Sequence, residues 1–343
     1  MTRIALDLCG GDLGFAPSLA GARMALKHDP NLALDLYGTA EAIGVAEQRS
    51  SFTDEQRQRV QLHTCECMVD MTDKPMQVLR NKAESSMAKA IDSLQNDQCQ
   101  GMVSSGNTSA LVTLGLQKLN TLAGVERPAI CTSLPARQGR TWLLDMGANL
   151  EPTLEQMLVN ARMGVAQCRL VEDIQHPRVG VMNVGTEGGK GTRLEWKLAE
   201  LLQNEAGIEF SGFAEGADLF SGNFDLIVCD GFTGNVALKT AEGMSRYLKN
   251  ELTEVLHRHW SARFFLVLTR RTLRRFREHM DPANYNGAAL LGLGGLVVKS
   301  HGSSNANGVR HAIDYAAKLA RLGCVDYLDS SLERPSHESV ATS

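Results

Sequence analysis

The chain has 343 residues, of which 43% are apolar and 22% charged, with a formal net charge of −4 at pH 7. That length and aliphatic content support a large core, built as one α/β unit or as two interwoven lobes. The acidic balance excludes a general nucleic-acid footprint, which needs a basic face, so no nucleic-acid partner is expected.

Strand candidates, taken in chain order, are Ile4–Leu8, Ala33–Tyr37, Val60–Thr64, Gly101–Ser104, Ala129–Ser133, Trp142–Asp145, Val179–Asn183, Glu209–Phe213 and Leu226–Cys229. Helical patterns lie between them at Pro17–Lys27, Met76–Leu94, Thr153–Gln167, Arg193–Leu202 and Thr233–Leu256. Strand followed by helix, repeated, predicts a mostly parallel sheet covered on both faces. Residues 1–331 read as a single α/β unit without a flexible linker, and the polar stretch 332–343 as a loose tail.

The eight cysteines are scattered, and several sit in apolar runs where a thiol acts as a small hydrophobe. Cys65 and Cys67 are one residue short of metal spacing and no second pair follows, so no metal is expected. The apolar stretch before Gly10-Gly-Asp12 is too short for a signal-peptide core. No segment approaches the roughly 20 apolar residues of a membrane-spanning helix. Both features point to a reducing cytoplasm.

Ligands of a parallel sheet bind beyond the C-terminal ends of its strands. Five strand exits combine Gly with Asp, Asn, Thr or Ser: Asp7 to Gly14, Ser104 to Thr108, Asp145 to Asn149, Asn183 to Gly191, and Asp230 to Asn235. Each alone reads equally as an ordinary turn or helix cap. Together they are expected to line one sheet edge, where glycine admits a ligand to the backbone and helix N-termini favour an anion. The Gly10-Gly-Asp-Leu-Gly14 run is not a dinucleotide fingerprint, and Lys190 is followed by Gly191 rather than the Ser or Thr of a P-loop. No nucleophile elbow is present. The remaining amides, backbone donors, Lys190 and His301 suit a reaction that positions an anion and stabilises charge without activating a nucleophile. His301 reads either as part of that chemistry or as a capping or core residue, and Lys190 either as an anion ligand or as a surface lysine at a helix start.

In order, the motifs are Leu6-Asp-Leu-Cys-Gly-Gly-Asp12, Asp73-Lys-Pro with Arg80, Lys82 and Ser85-Ser-Met87, Ser105-Gly-Asn-Thr108, Arg127-Pro-Ala129 and Leu144-Asp-Met-Gly-Ala-Asn149. Asn183-Val-Gly-Thr-Glu187 with Lys190-Gly191, Asp230-Gly-Phe-Thr-Gly-Asn-Val236, Asn286-Gly287 and Lys299-Ser-His-Gly302 follow. This series resembles the bacterial phosphate acyltransferase family of phospholipid synthesis, which converts acyl carrier protein thioesters to acyl phosphates. Cys9, Ser109 and Ala214-Glu-Gly-Ala217 depart from the family pattern without removing a group assigned to chemistry.

The resemblance implies a three-layer α/β/α sandwich like that of isocitrate and isopropylmalate dehydrogenases, a homodimer, and no cofactor. It implies acyl carrier protein and inorganic phosphate as substrates, and a membrane glycerol-3-phosphate acyltransferase as the consumer of the product. Lys190, Asn235 and His301 are then the catalytic candidates: Lys190 for phosphate, Asn235 or Asn107 for the oxyanion, and His301 for orienting phosphate or protonating sulfur. The candidate substrate-binding set is Asp7, Gly10, Gly11, Asp12, Ser85, Gly106, Asn107, Thr108, Asp145, Asn149, Asn183, Glu187, Asp230, Thr233 and Gly234. The aspartates are expected to orient neighbours, because bare carboxylates repel phosphate.

Residues 260–277 carry Phe265, Leu266, Leu273 and Phe276 on one helical face, with Arg270 and Arg274 beside it. This basic amphipathic helix suits the inner face of an anionic membrane, an acidic carrier protein, or a core contact with a solvated basic side. The family's peripheral membrane association favours the surface reading. Rival readings are a nicotinamide-dependent dehydrogenase, a phosphotransacetylase using coenzyme A thioesters, and a membrane scaffold without turnover.

Overall fold

The computed structural model describes residues 1–48, 51–258 and 282–333. The 260–277 helix expected from sequence, with Phe265, Leu266, Arg270, Leu273, Arg274 and Phe276, lies outside the described residues. So does most of the expected tail; the last described helix reaches Glu333.

All nine predicted strands form: β1 Thr2–Asp7, β2 Leu32–Thr39, β3 Val60–Cys65, β4 Gly101–Ser104, β5 Ala129–Pro135, β6 Arg140–Leu144, β7 Arg178–Met182, β8 Glu209–Ala214 and β9 Leu226–Val228. Two more, β10 Ala288–Leu291 and β11 Val297–Lys299, join them. The order in the 11-stranded sheet is β3-β2-β1-β4-β11-β10-β5-β6-β9-β7-β8.

The helices are α1 Phe15–His28, α2 Ala40–Glu47, α3 Asp54–Arg57, α4 Pro75–Asn81, α5 Ser86–Gln95, α6 Thr108–Leu119, α7 Leu154–Glu172, α8 Arg193–Asn204 and α9 Gly231–Arg258, then Ala306–Arg321 and Cys324–Glu333. The single helix predicted over Met76–Leu94 is two, α4 and α5. The chain breaks at Lys82–Ser85, and the Ser85 hydroxyl accepts from Ala88 N at 3.3 Å to cap the second.

Strand side chains alternate between two cores, as the period of 2 requires. Ile4, Leu6, Leu144 and Val228 face one core with α1, α7, α8 and the C-terminal helices. Ala5, Leu143 and Ile227 face the other with α4, α5, α6 and the start of α9. Burial on both faces makes the three-layer sandwich.

The pairings β11–β10, β10–β5 and β5–β6 are antiparallel and the rest are parallel. Three reversals leave β6, β9, β7 and β8 running opposite to β1, β2, β3, β4 and β11. The expectation of five exits at one sheet edge is therefore corrected: the exits of β1 and β4 point one way, and those of β6, β7 and β9 the other. The register brings them close nonetheless. Leu6, Val103, Val298, Ala289, Cys131, Leu144, Val228 and Val181 pair in one continuous row. Strands of both halves end within a residue or two of that row, leaving from its two sides.

Helix α9 connects the halves. Its first turn packs so tightly that a Cβ on Gly234 would lie 1.9 Å from the Asp145 carbonyl oxygen and 2.9 Å from Cys229 Sγ. At Gly243, two and a half turns on, a Cβ would meet nothing within 4 Å. Gly234→Ala is expected to cost about 3 kcal/mol or more, because the obstacle is backbone. Gly243→Ala is expected to gain about 0.5–1 kcal/mol from helix propensity. Urea unfolding of the two variants checks the opposite signs.

Candidate functional site

In the first half, β1, β4 and β11 are neighbours and their exits interlock. The Asp7 carboxylate is buried and accepts from Ser86 Oγ and Ser104 Oγ, each at 2.7 Å, and from Cys9 N at 3.2 Å. Burial pushes its pKa up, and these donors pull against that. A Cβ on Gly10 would lie 2.5 Å from Gly106 N. Gly11, at φ +103, would carry one 2.8 Å from the Gly302 carbonyl, which accepts from Asp12 N at 2.8 Å. These glycines serve backbone packing between loops, and Asp12 is left exposed at the rim.

Lys299, at the end of β11, is buried, and its ammonium donates to Ser105 O at 3.2 Å and to Ser300 O. Burial first, then the charge of Lys239, lowers its pKa to about 8, against the pull of Asp12, Asp7 and Glu242. Asn286 locks the turn that follows. Its amide donates to Ser300 Oγ at 2.8 Å, Ser304 Oγ at 3.1 Å and Gly308 O at 2.7 Å, and its oxygen accepts from His301 N at 3.0 Å.

In the second half, β6, β9 and β7 are neighbours. Asp145 is buried and plays the part of Asp7: Oδ1 accepts from Ile130, Gly147 and Ala148 N, and Oδ2 from Asn149 N and Nδ2, at 2.8–3.1 Å. Burial raises its pKa and the backbone donors oppose the rise. Asn149 also donates to Pro128 O at 2.9 Å. Asp230 accepts from Thr233 N at 2.8 Å and Thr233 Oγ1 at 2.6 Å, which secures the start of α9.

Asn183 closes the 183–191 loop by donating to Gly185 O and Lys190 O, both at 3.1 Å. Gly191 is required there: at φ +89, a Cβ would fall 1.9 Å from Asn183 Oδ1. Lys190 is exposed and pairs with exposed Glu187 at 3.0 Å.

The two half-sites meet on α9. Asn235, Lys239 and Glu242 stand at i, i+4 and i+7, hence on one helical face. Asn235 lies beside the Gly147 turn, where a Cβ on the glycine would be 3.7 Å from Asn235 Cβ. Its exposed amide makes no hydrogen bond among the described residues. One turn on, Lys239 Nζ is 2.7 Å and Glu242 Oε2 3.1 Å from His301 Nε2, and the two are 3.0 Å from each other. Burial works against the Glu242 carboxylate, yet His301 and Lys239 outweigh it and hold its pKa below the usual range. His301 Nδ1 accepts from Ser303 N at 3.1 Å, which turns Nε2 toward Lys239 and Glu242. The Lys239 ammonium and the imidazole Nε2 thus converge on one carboxylate. An incoming anion gives them a second acceptor.

The structure therefore brings Asn235 and His301 together along α9, with Lys190 on the loop leaving the strand next to β9. It reassigns others. The Asn107 amide donates to Met71 O and Asp73 O at 3.0 Å, and its oxygen caps α6 by accepting from Ala110 N at 3.1 Å, so it has no donor left for an oxyanion. Ser85 is a buried cap. Gly106 N donates to Ser104 Oγ at 3.0 Å, and Thr108 opens α6 just beyond the cap.

Lys239 and Glu242 were not singled out from sequence, and Lys299 stood in the Lys299-Ser-His-Gly302 motif without a role of its own; the seven-residue spacing behind Gly234-Asn235 was the available signal for the first two. All eight cysteine thiols have pKa values raised, chiefly by burial, which disfavours the thiolate form. Among the described residues, no three His, Cys, Asp or Glu side chains form a metal-holding group, and no helix is long and apolar enough to cross a membrane.

A family model described as "Fatty acid synthesis protein" matches residues 2–326. A relative from Cellvibrio japonicus, named phosphate acyltransferase, is 40% identical over 314 residues, covering 92% of this chain and 93% of its own. Among solved structures, a phosphotransacetylase from Streptococcus pyogenes superposes with a TM-score of 0.59 at 17% identity, over 93% of this chain and 94% of its own. A 4-hydroxythreonine-4-phosphate dehydrogenase from Burkholderia phymatum superposes at 0.51 and 14% identity, over 93% and 98% of the two chains. The two structures share the sandwich, including its dehydrogenase-like form.

The Lys299 shift makes a signed prediction. Its folded pKa of about 8 lies below the ordinary lysine value of 10.5, so between those pH values the unfolded chain binds more protons and stability rises with pH. The stability gap between wild type and Lys299→Met is expected to shift in favour of wild type by on the order of 3 kcal/mol from pH 8 to 10.5. Urea unfolding across that range checks it; a pH-independent gap contradicts the buried, depressed lysine.

Proposed function

The chain belongs to the phosphate acyltransferase family, and from that premise we propose that it transfers a fatty acyl group from an acyl carrier protein thioester to inorganic phosphate. The carrying observation is the α9 face, which presents an unengaged amide at Asn235 and, one turn on, a cation–imidazole–carboxylate cluster at Lys239, His301 and Glu242. This set supplies positive charge and N–H donors without a thiolate or an activated hydroxyl. Acyl transfer to phosphate needs that combination, because phosphate near neutral pH is already a nucleophile.

In the proposed reaction, Lys190 leaves Glu187 to hold phosphate. A phosphate oxygen attacks the thioester carbonyl, and Asn235 donates to the tetrahedral oxyanion. The carbon–sulfur bond then breaks, with the thiolate accepting from His301 Nε2–H or the Lys239 ammonium. A carrier thiol with pKa near 8.5 leaves readily, so the proton is a modest aid. Asp7, Asp145, Asp230 and Asn183 shape the loops, and Asp12, Thr108 and Glu187 sit at exposed or half-exposed rim positions open to the carrier's arm.

The product, an acyl phosphate, suits a membrane glycerol-3-phosphate acyltransferase in phospholipid synthesis, and the same reading has this chain working from the cytoplasm in peripheral contact with the inner membrane face. A homodimer belongs to the same reading. It is supported by the apolar stripe that α9 exposes: Phe232, Val236, Met244 and Tyr247 are each at least half exposed, at 64, 50, 56 and 57%.

The test is acyl phosphate formation from palmitoyl carrier protein and phosphate, trapped as a hydroxamate, with palmitoyl coenzyme A in parallel. Phosphate-dependent product is expected with the carrier thioester. Lys190→Ala is expected to lose at least about a hundredfold, and Asn235→Ala about a hundred- to a thousandfold in kcat, as for loss of one oxyanion donor. Product with undiminished Lys190→Ala turnover would keep the reaction and displace the lysine. Product from coenzyme A alone would replace the carrier, and none from either would overturn the reading.

A further inference from the structure

We infer that Trp196 is a positioning residue for Lys190, latching the glycine-rich loop through its indole N–H. This rests on Lys190 holding phosphate. Within the loop Asn183–Gly191 the one buried side chain that fixes the backbone is Asn183; Gly185, Gly188, Gly189 and Gly191 carry no side chains, and Lys190 and Glu187 are exposed. What restrains its far end is the Lys190 carbonyl, which accepts from Asn183 Nδ2 at 3.1 Å and from Trp196 Nε1 at 2.6 Å. The first donor comes from the β7 exit and the second from the first turns of α8, so the carbonyl is clamped from both ends of the loop.

The indole is itself anchored. Its ring stacks edge-on against Phe213 of β8, with centroids 4.6 Å apart and planes at 63°, and Phe213 in turn meets Phe210 at 6.4 Å and 88°. The helix that carries it is capped where the loop ends: Thr192 Oγ1 accepts from Leu194 N at 3.1 Å, and Glu195 accepts from Thr192 N at 2.9 Å. The sheet's edge strand thus holds the ring, the ring holds the carbonyl, and the carbonyl fixes the backbone from which the Lys190 side chain projects. Trp196 is 36% exposed although it makes this contact, and with Arg193, Lys197 and Phe210 it lines a shallow cavity of about 340 Å³. A partly exposed indole bonded to the ligand loop also reports on that loop, since its emission follows its hydrogen bonding and hydration.

Trp196→Phe keeps an aromatic ring against Phe213 and deletes the N–H. With palmitoyl carrier protein saturating, KM for phosphate is expected to rise about fivefold, the scale of one net hydrogen bond, while kcat falls by less than about twofold. In a Lys190→Ala background the same change is expected to move the phosphate response by less than about twofold, because the latch acts through the lysine. Binding is read separately by titrating inorganic phosphate and following tryptophan emission. The sequence has three tryptophans, so wild type minus Trp196→Phe isolates this one. A phosphate-dependent change is expected in that difference, and its loss in Lys190→Ala. Unchanged KM for phosphate, a fivefold effect that persists without Lys190, or a silent difference emission would each overturn the latch and leave acyl transfer standing. Failure of wild type to form acyl phosphate would overturn the function instead, and the emission titration would still decide the latch.

Discussion

The seating of α9 against the Asp145 turn is the constraint on which the site depends. Asp145 is buried at the end of β6 and spends its two oxygens on five donors from residues 130 to 149. That fixes the turn as a rigid floor. The floor accepts Gly231 N on the Asn149 carbonyl at 2.7 Å and leaves no room for a side chain at Gly234. With its first turn pinned, the helix has one direction in which to run. Lys239 and Glu242 therefore arrive at His301, on a loop that leaves the opposite side of the strand-end row. A tilt of about 5° in the first turn would displace Lys239 and Glu242, about 7–12 Å further along the axis, by roughly 0.7–1 Å. The strictness at Gly231 and Gly234 is thus a demand of the site as much as of packing.

Charge is distributed to match. The carboxylates nearest the row, Asp7 and Asp145, are buried and saturated with donors, so they organise loops without confronting an anion. The cations differ in kind: Lys299 is buried between loops with its pKa lowered, Lys190 is exposed on its glycine-rich loop, and Lys239 shares Glu242 with His301. Exposed lysines paired with a single carboxylate can change partners when an anion arrives, which a buried ion pair resists. With every thiol's pKa raised by burial, electrostatic positioning is the chemistry the protein's own groups offer.

The strands that carry the exits were legible because their apolar runs are bounded by Gly, Asn and Asp turns. The joining strands β10 and β11 were not, since Ala288–Leu291 and Val297–Lys299 flank a Gly292-Leu-Gly-Gly295 run that reads as a loop. Missing them hid the antiparallel pairings they make, and the number of reversals decides which way each exit faces. Glycines read as room for a ligand proved to be room for backbone: Gly10 on Gly106, Gly11 on Gly302, Gly234 on Asp145. Asn107 and Asn235 have the same side chain in similar motifs. Only tertiary contact distinguishes the one that ties down the 71–73 loop from the one left open. Lys239 and Glu242 escaped notice because charges on a long helix look like a solvated face until a histidine from the loop after β11 meets them.

The central claim is that the two half-sites form one cleft along α9. A crystal structure with a non-hydrolysable acyl phosphonate tests it most directly. The account predicts the phosphonate oxygens near Lys190 and Asn235, with the acyl carbonyl carbon between Asn235 and the His301–Lys239 pair. A phosphonate bound wholly within the β1–β4–β11 loops, with α9 untouched, would contradict it.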